Sequence, residues 1–502
     1  MKTMTAVTMT LVALWQAAAA AAQNCTPCID PAVPDLAIVQ LAPGRTISEA
    51  IAAIESRQSG LTATVLDSVP SREVYLLGFD PPGVFDAVLF DLQYFMPGTP
   101  NTLIGDGSDP SRPLMFGDTE YTAEIAEGKT GSGYVSGPAL TAAHFQGQYA
   151  LAQTNVAAAQ MRSTGSGVVV AVIDTGIDAT HPALGNSVAP GWNVRENSSN
   201  TADVGDGADN DGDGVTDEGV GHGTYVAGLI HLVAPDATLV PVVVLDSEGR
   251  TSQWLLLKGI YWAIDRGVEV INISIGTTYD ADTVEAALDE AKLYGIVPVG
   301  AAGNCGCDLR EQPAMKSSVL GVVSVNDQDI KADFSNYNRK ASLAAPGDSV
   351  PDAGDPTGYD TARSMFGPVP GGGYAVWEGT SLSAPLVSGA VALVRAQHPE
   401  WAYNDLTWDA IDNLLANTAT PIDGINPGFA GSLGAGRIDI GAAVQMGPPQ
   451  PQLGDLNNDG TIGLSDLALL LADFDQVHSS ADLDGSGRVD LADLAMMLSA
   501  FN

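Results

Sequence analysis

The stretch SGVVVAVIDTGID, residues 166–178, holds an unbroken apolar run that ends on an aspartate beside a glycine turn. A strand that is apolar at every position is buried on both faces, and such strands belong to parallel sheets covered by helices. The same signature recurs downstream in ATLVPVVVLD, VEVINISIG, IVPVGAAGN and VLGVVSV. Helical runs lie between these segments: TYVAGLIHLVA, LLLKGIYWAIDRG and TVEAALDEAKLYG. The alternation predicts an α/β layered domain over 148–446, with a mostly parallel sheet and helices on both faces.

On the N-terminal side, Lys2 precedes an apolar run ending in small residues, which reads as a signal peptide over 1–22 cut after Ala22. Residues 23–147 form a separate region. Within it, 36–79 reads as a small α/β module whose helix starts near Thr46, and about 97–140 reads as linker or extended loop. On the C-terminal side, GPPQPQL at 447–453 is a proline-rich linker. Beyond it, 454–502 contains an internal repeat: LSDLALLLADF at 464–474 matches LADLAMMLSAF at 491–501.

The chain carries 60 Asp and Glu against 21 Lys and Arg, a net charge of −39. That balance excludes nucleic acid and anionic membranes as partners. After signal removal no apolar run is long enough for a membrane span. The localisation expected is secreted or extracellular, with cell-surface association allowed. Cys25, Cys28, Cys305 and Cys307 permit two disulfides, and the spacing leaves the pairing open.

Three stretches of the α/β domain carry chemistry: VIDTGID at 172–178, GHGTYVAG at 221–228 and GTSLSAP at 379–385. A serine hydroxyl needs an imidazole to take its proton, and the imidazole needs a carboxylate to fix its tautomer and stabilise its charged form. Asp174 ends a buried strand, His222 opens a helix between glycines, and Ser381 opens an apolar helix. In the order Asp, His, Ser these motifs resemble the subtilisin-like serine proteases, the subtilases, over about 148–445. The resemblance implies that Asp174, His222 and Ser381 are orienting acid, general base and nucleophile, and that Asn304, ending VPVGAAGN, supplies the oxyanion hole. It also implies that Ser274, Ile275 and Gly276 form one wall of the primary substrate pocket, and Ala301, Ala302 and Gly303 the other. LDSEGRTS at 245–252 resembles the opposing edge, so that an extended peptide adds as a strand. The walls are small or apolar, which predicts an apolar or aromatic residue before the cut; the pocket floor stays unassigned. Tyr225 stands where the family often has a second histidine. The module at 36–79 sits where subtilases carry a propeptide that templates folding, blocks the cleft and is cut away.

Carboxylates on alternate residues followed by a glycine are the pattern that holds Ca²⁺. The tail has two such loops. One offers Asp455, Asn457, Asp459, the Thr461 carbonyl and Asp466. The other offers Asp482, Asp484, Ser486, the Arg488 carbonyl and Asp493. Each precedes one helix, with stripes Leu467, Leu470, Leu471, Phe474 and Leu494, Met497, Leu498, Phe501. Loop and helix twice, with Asp at the twelfth position, resembles a type I dockerin module, which implies a cohesin-type partner. A third loop, DNDGDGVTDEG at 209–219, offers Asp209, Asp211, Asp213 and Asp217, resembles a thrombospondin type 3 loop, and ends just before His222. Position 12 is Val220, so Glu218 is the available substitute.

The sequence therefore predicts a subtilisin-like α/β fold, preceded by a small propeptide-like α/β module and followed by a small α-helical dockerin-like module. The function expected is a secreted, calcium-binding serine endopeptidase acting on protein or peptide substrates. The alternative is a catalytically silent surface or scaffold-binding protein with the same fold.

Overall fold

The structure, a computed structural model, describes residues 30–446 and 454–500, except 31, 59, 84–102, 105–107, 110, 111, 126, 128–133, 400, 402, 403, 455, 457–461, 477–480 and 485. The expected signal peptide, Cys25 and Cys28 lie outside the described residues.

Seven strands form one parallel sheet in the order Leu343–Pro346, Leu320–Val325, Val297–Ala301, Val270–Ile273, Val169–Asp174, Thr238–Val243 and Trp192–Asn193. The strands from Val270 to Ala301 are buried at every position, as their unbroken apolar runs require. Helices His222–Val233, Gln253–Arg266, Asp282–Leu293 and Thr380–Gln397 pack around the sheet in one continuous apolar core. Asp174 and Ile273 end neighbouring central strands, whose carboxyl ends open toward one crevice. That is where an open α/β sheet presents its ligand-binding groups.

The N-terminal module has strands Ala32–Leu41, Thr62–Val69 and Val74–Asp80 around helix Ile47–Arg57. The helix begins at Thr46 because Thr46 and Glu49 cap each other reciprocally: Glu49 N–H donates to Thr46 Oγ1 at 3.3 Å, and Thr46 N–H to Glu49 Oε2 at 2.8 Å. Ala37, Val39 and Leu41 face this helix, whereas Ile38, on the other face, joins the core of the large domain. The alternation of a half-buried strand thus seats the module on its neighbour.

One expectation is corrected. Within the 97–140 segment, read as linker or loop, lies a twelve-residue strand, Leu114–Ile125. Its first half pairs antiparallel with Ala32–Leu41. Its last residues pair with Arg250–Ser252 on one side and Ile275–Gly276 on the other. The strand looked like loop because it buries acids. Asp118, 3% exposed, accepts from the N–H groups of Asp282 and Thr283 at 3.1 and 2.8 Å, and Glu120, 2% exposed, accepts from Trp254 N–H at 3.1 Å. Both carboxylates meet unsatisfied donors at helix N-termini, where negative charge is favoured. Burial nevertheless pushes Asp118 up to about 6 and Glu120 up to about 7.

In the tail, helices Leu464–Ala472 and Leu491–Ala500 pack around Ile462, Leu470, Ala481, Leu483, Val489 and Met497. Leu471 and Leu498, expected in the apolar stripes, are exposed. Loop residues Ile462, Leu483 and Val489 fill the space that a wider helix stripe would have taken. Among the described residues, no helix is long and apolar enough to cross a membrane.

Candidate active site

Asp174, His222 and Ser381 meet in the crevice, all fully buried. His222 Nδ1 lies 2.8 Å from Asp174 Oδ1 and 3.0 Å from Oδ2. Gly223 permits this approach: a Cβ there would overlap the Gly176 carbonyl and press on Asp174. Trp377 stands perpendicular to the imidazole, with centroids 5.3 Å apart. Tyr225, fully buried, packs its ring T-shaped on the same tryptophan.

Asp203 stands in no motif that marks it. This buried carboxylate accepts from Gly221 N–H at 2.9 Å, Thr224 N–H at 3.1 Å and Thr224 Oγ1 at 2.6 Å, and also from Thr175 Oγ1 at 3.1 Å. It therefore ties the start of the His222 helix to the residue after Asp174. Burial pushes its carboxyl up to about 6, against those hydrogen bonds.

Glu127 is the second residue the sequence concealed. It lies two residues past the strand Leu114–Ile125, hereafter the cleft strand, and is fully buried. Ser381 Oγ donates to Glu127 Oε2 at 2.8 Å, and His222 Nε2 faces the same oxygen at 3.3 Å without the alignment of a hydrogen bond. Asn304 Nδ2 donates to Glu127 Oε1 at 3.3 Å, while Asn304 Oδ1 accepts from Thr380 N–H and Oγ1, each at 2.9 Å. One carboxylate thus engages the serine, the histidine and the asparagine together. Burial works against a charged imidazole, but the Asp174 charge and hydrogen bond, joined by Glu127, outweigh it and push His222 up to about 10.

The segments expected as pocket walls border Ser381 and the start of its helix. Ser274, fully buried, donates through Oγ to the Ser381 carbonyl at 3.1 Å. Ile275 and Gly276 pair with Ile125 and Glu124, and Ile125 N–H donates to the Gly249 carbonyl at 2.9 Å. Ala301, Ala302 and Gly303 are all buried, and Gly303 N–H donates to Thr380 Oγ1 at 3.0 Å. In the loop that follows, Cys305 and Cys307 are both disulfide-bonded.

Asp209, Asp211 and Asp213 bring carboxylate oxygens within 4.8 Å of one another. Asp217 is not in this group: its carboxylate accepts from Asp206 and Gly207 N–H, each at 3.0 Å. Glu218 is electrostatically close instead. Burial and the charges of Asp213, Asp211 and Glu248 push it up to about 7. Buried Glu248 accepts from the N–H groups of Asn210, Asp217 and Glu218 at 3.2, 3.3 and 3.3 Å, and Arg250 pairs with Asp211 at 2.9 Å. The loop is thereby fastened to the edge segment that pairs with the cleft strand. From it the chain runs directly to His222, whose N–H donates to the Gly219 carbonyl at 3.1 Å.

In the tail, Asp482, Asp484 and Asp493 form a second group within 4.8 Å. Ser486 Oγ donates to the Arg488 carbonyl at 3.1 Å, and the Arg488 side chain pairs outward with Asp475. Asp466, fully buried, accepts from Leu456 and Gly463 N–H, each at 2.8 Å. Asp455, Asn457, Asp459 and Thr461 lie outside the described residues.

Residues 165–442 match the model of the Subtilase family. The chain belongs to that family. It is 34% identical over 291 residues to subtilisin BL of Lederbergia lenta, covering 56% of this chain and 92% of that one. Subtilisin E of Bacillus subtilis strain 168 is 33% identical over 295 residues, covering 56% and 67%. Among solved structures, fervidolysin of Fervidobacterium pennivorans, described as a keratinolytic enzyme related to subtilisin, superposes with a TM-score of 0.60 at 23% identity, covering 84% of this chain and 62% of that one. That likeness concerns the fold. The subtilase is a subtilisin-like serine endopeptidase.

Proposed function

We propose that this subtilase is exported as a zymogen and cleaves peptide bonds through Asp174, His222 and Ser381. The observation that carries the reading is the meeting of Ser381 Oγ and His222 Nε2 on one oxygen of Glu127, with Asp174 behind the imidazole. When substrate replaces Glu127, Ser381 Oγ attacks the scissile carbonyl as His222 Nε2 takes its proton. Asn304 Nδ2 donates to the oxyanion, and losing such a donor costs about 2.7–4 kcal/mol, a figure established on subtilisin, a relative. His222 then protonates the leaving amine, and water hydrolyses the acyl-enzyme with the same histidine as base. Incubation with casein and a serine-reactive phosphonate, followed by mass spectrometry, tests this. Labelling of Ser381 is expected; casein cleavage with no label on that serine would reject the assignment.

The N-terminal region acts as propeptide. In support, its strand lies in the cleft paired on both edges as a substrate would be, with Glu127 in the position of the oxyanion. The processing cut falls within a residue or two of Glu127, so a new N-terminus there is expected in the same experiment. Residues 1–22 direct export, and the mature enzyme acts outside the cell on protein or peptide substrates.

The acidic groups fit a hard cation, since each gathers several carboxylate oxygens in a small space. Asp209, Asp211, Asp213 and Glu218 would hold one calcium ion, and Asp482, Asp484 and Asp493 another; bound calcium supplies charge neutralisation that lets each loop close. The first loop positions His222 and the substrate edge through Gly219 and Glu248. Asp211→Asn with Asp213→Asn is therefore expected to lower the initial rate of fresh, intact enzyme at saturating substrate several-fold or more, since displacement of a catalytic group by about 1 Å costs about 100-fold. An unchanged initial rate with faster loss over hours would instead assign the loop to protection from autolysis. The tail, with so small a core, is expected to gain its helicity only with calcium. Equal circular dichroism of residues 450–502 with Ca²⁺ and with chelator would contradict that. A cohesin-type partner for the tail is not proposed.

A further inference from the structure

We infer that Glu311 closes the primary substrate pocket, so that this protease cuts after small residues and turns away large apolar and aromatic ones. The inference rests on the protease reading above and names the substrate class of that site. Glu311 belongs to neither wall expected from the sequence, yet its side chain lies between them, fully buried. A Cβ added to Gly276, on one wall, would overlap Glu311 Oε1; a Cβ added to Gly303, on the other, would overlap Glu311 Oε2. The carboxylate therefore touches both walls at their glycines, where a substrate side chain would enter.

Its position is fixed from two sides. Thr277 and Gln312 exchange backbone hydrogen bonds of 2.8 and 2.7 Å, which hold the residue after Glu311 against the residue after Gly276. Asn336 Nδ2 donates to Glu311 Oε2 at 2.7 Å and to the Ala302 carbonyl at 3.1 Å, so one amide binds the carboxylate to the second wall. Asn336 N–H also donates to the Gly303 carbonyl at 2.8 Å, and Asn336 Oδ1 accepts from Cys305 and Cys307 N–H at 3.0 and 3.2 Å. Withdrawing the side chain to admit a phenyl ring would break this arrangement and leave polar groups buried without partners. Glycines at 276 and 303 are what let the walls come close enough to be spanned by one carboxylate. An alanine, residue 126, also follows the last paired residue of the cleft strand in the sequence.

The test is kcat/KM on a peptide series differing only in the residue before the cut, for the processed wild type, Glu311→Gln and Glu311→Ala. Wild type is expected to favour alanine over phenylalanine by about tenfold or more. Glu311→Gln keeps the volume and the bond from Asn336 on its amide oxygen, and is expected to keep that preference. Glu311→Ala opens the space and is expected to raise the phenylalanine-to-alanine ratio by at least about tenfold. A wild type that prefers phenylalanine overturns the inference. So does a preference for lysine or arginine that Glu311→Gln abolishes, since that would mean selection by charge rather than closure. Failure of the wild type to cut casein or any peptide would overturn the protease reading itself, a result distinct from both.

Discussion

Ser381→Ala is expected to lower hydrolysis roughly a millionfold, the scale known from subtilisin, a relative, and to leave the chain at full length. Both losses have one cause. Ser381 Oγ shares Glu127 with the imidazole that deprotonates it, and with the amide that donates to the oxyanion, in the proposed mechanism. Alanine keeps the helix, because Ser381 lies in the first turn of an eighteen-residue helix whose packing is apolar. The variant should therefore fold, keep its cleft strand docked and show the normal thermal transition. Processing uses the same nucleophile, so residues on both sides of Glu127 should remain joined in gel and mass analysis. Wild-type rates in Ser381→Ala would remove the serine from the mechanism. Loss of activity with normal processing would place the cut under another protease.

The motifs that name the family were legible because each is local: a strand end, a helix start, a loop asparagine. The Thr46 cap and the tail helices were legible for the same reason. Asp203, Glu127 and Glu311 were not. Each is one acidic residue among 60 in the sequence, and each acquires its role only from partners far along the chain. Glu127 meets Ser381 across 254 positions, and Asp203 reaches the His222 helix across 21 at Thr224. The strand Leu114–Ile125 was hidden by the same physics. Its Asp118 and Glu120 look like loop residues until the N-termini of helices Gln253–Arg266 and Asp282–Leu293 are brought to them. The segments expected as pocket walls carry local motifs, but Glu311, which packs between Gly276 and Gly303, lies past a loop whose length set no register.

Raising the pH is expected to release the propeptide, in two separable limbs. Asp118 and Glu120 have carboxyls raised by burial, to about 6 and about 7 in the docked state. When freed, they return toward their ordinary values near 4. The docked state then holds more protons than the released one, so docking is strongest in acid and weakens as pH rises from about 4 through 7. The upper limb belongs to His222. Its imidazole is faced by Asp174 at Nδ1 and Glu127 at Nε2, with Asp203 behind Asp174 and Glu378 coupled to Glu127. Loss of Glu127 removes one of the charges that holds it near 10. Asp174 stays with the imidazole after release, so only the share owed to Glu127 is lost; that share is fully present in acid and fades as pH rises through about 10. Conversion of the full chain to processed enzyme should accordingly speed up between pH 7 and 10, by at most about tenfold per unit for a single proton. Glu127→Ala should convert at least about tenfold faster than wild type at pH 7, flatten the upper limb and leave the lower one in place. Asp118→Asn with Glu120→Gln should do the reverse. Conversion rates in Glu127→Ala that track wild type across pH 7–10 would show that the carboxylate in the oxyanion position restrains nothing.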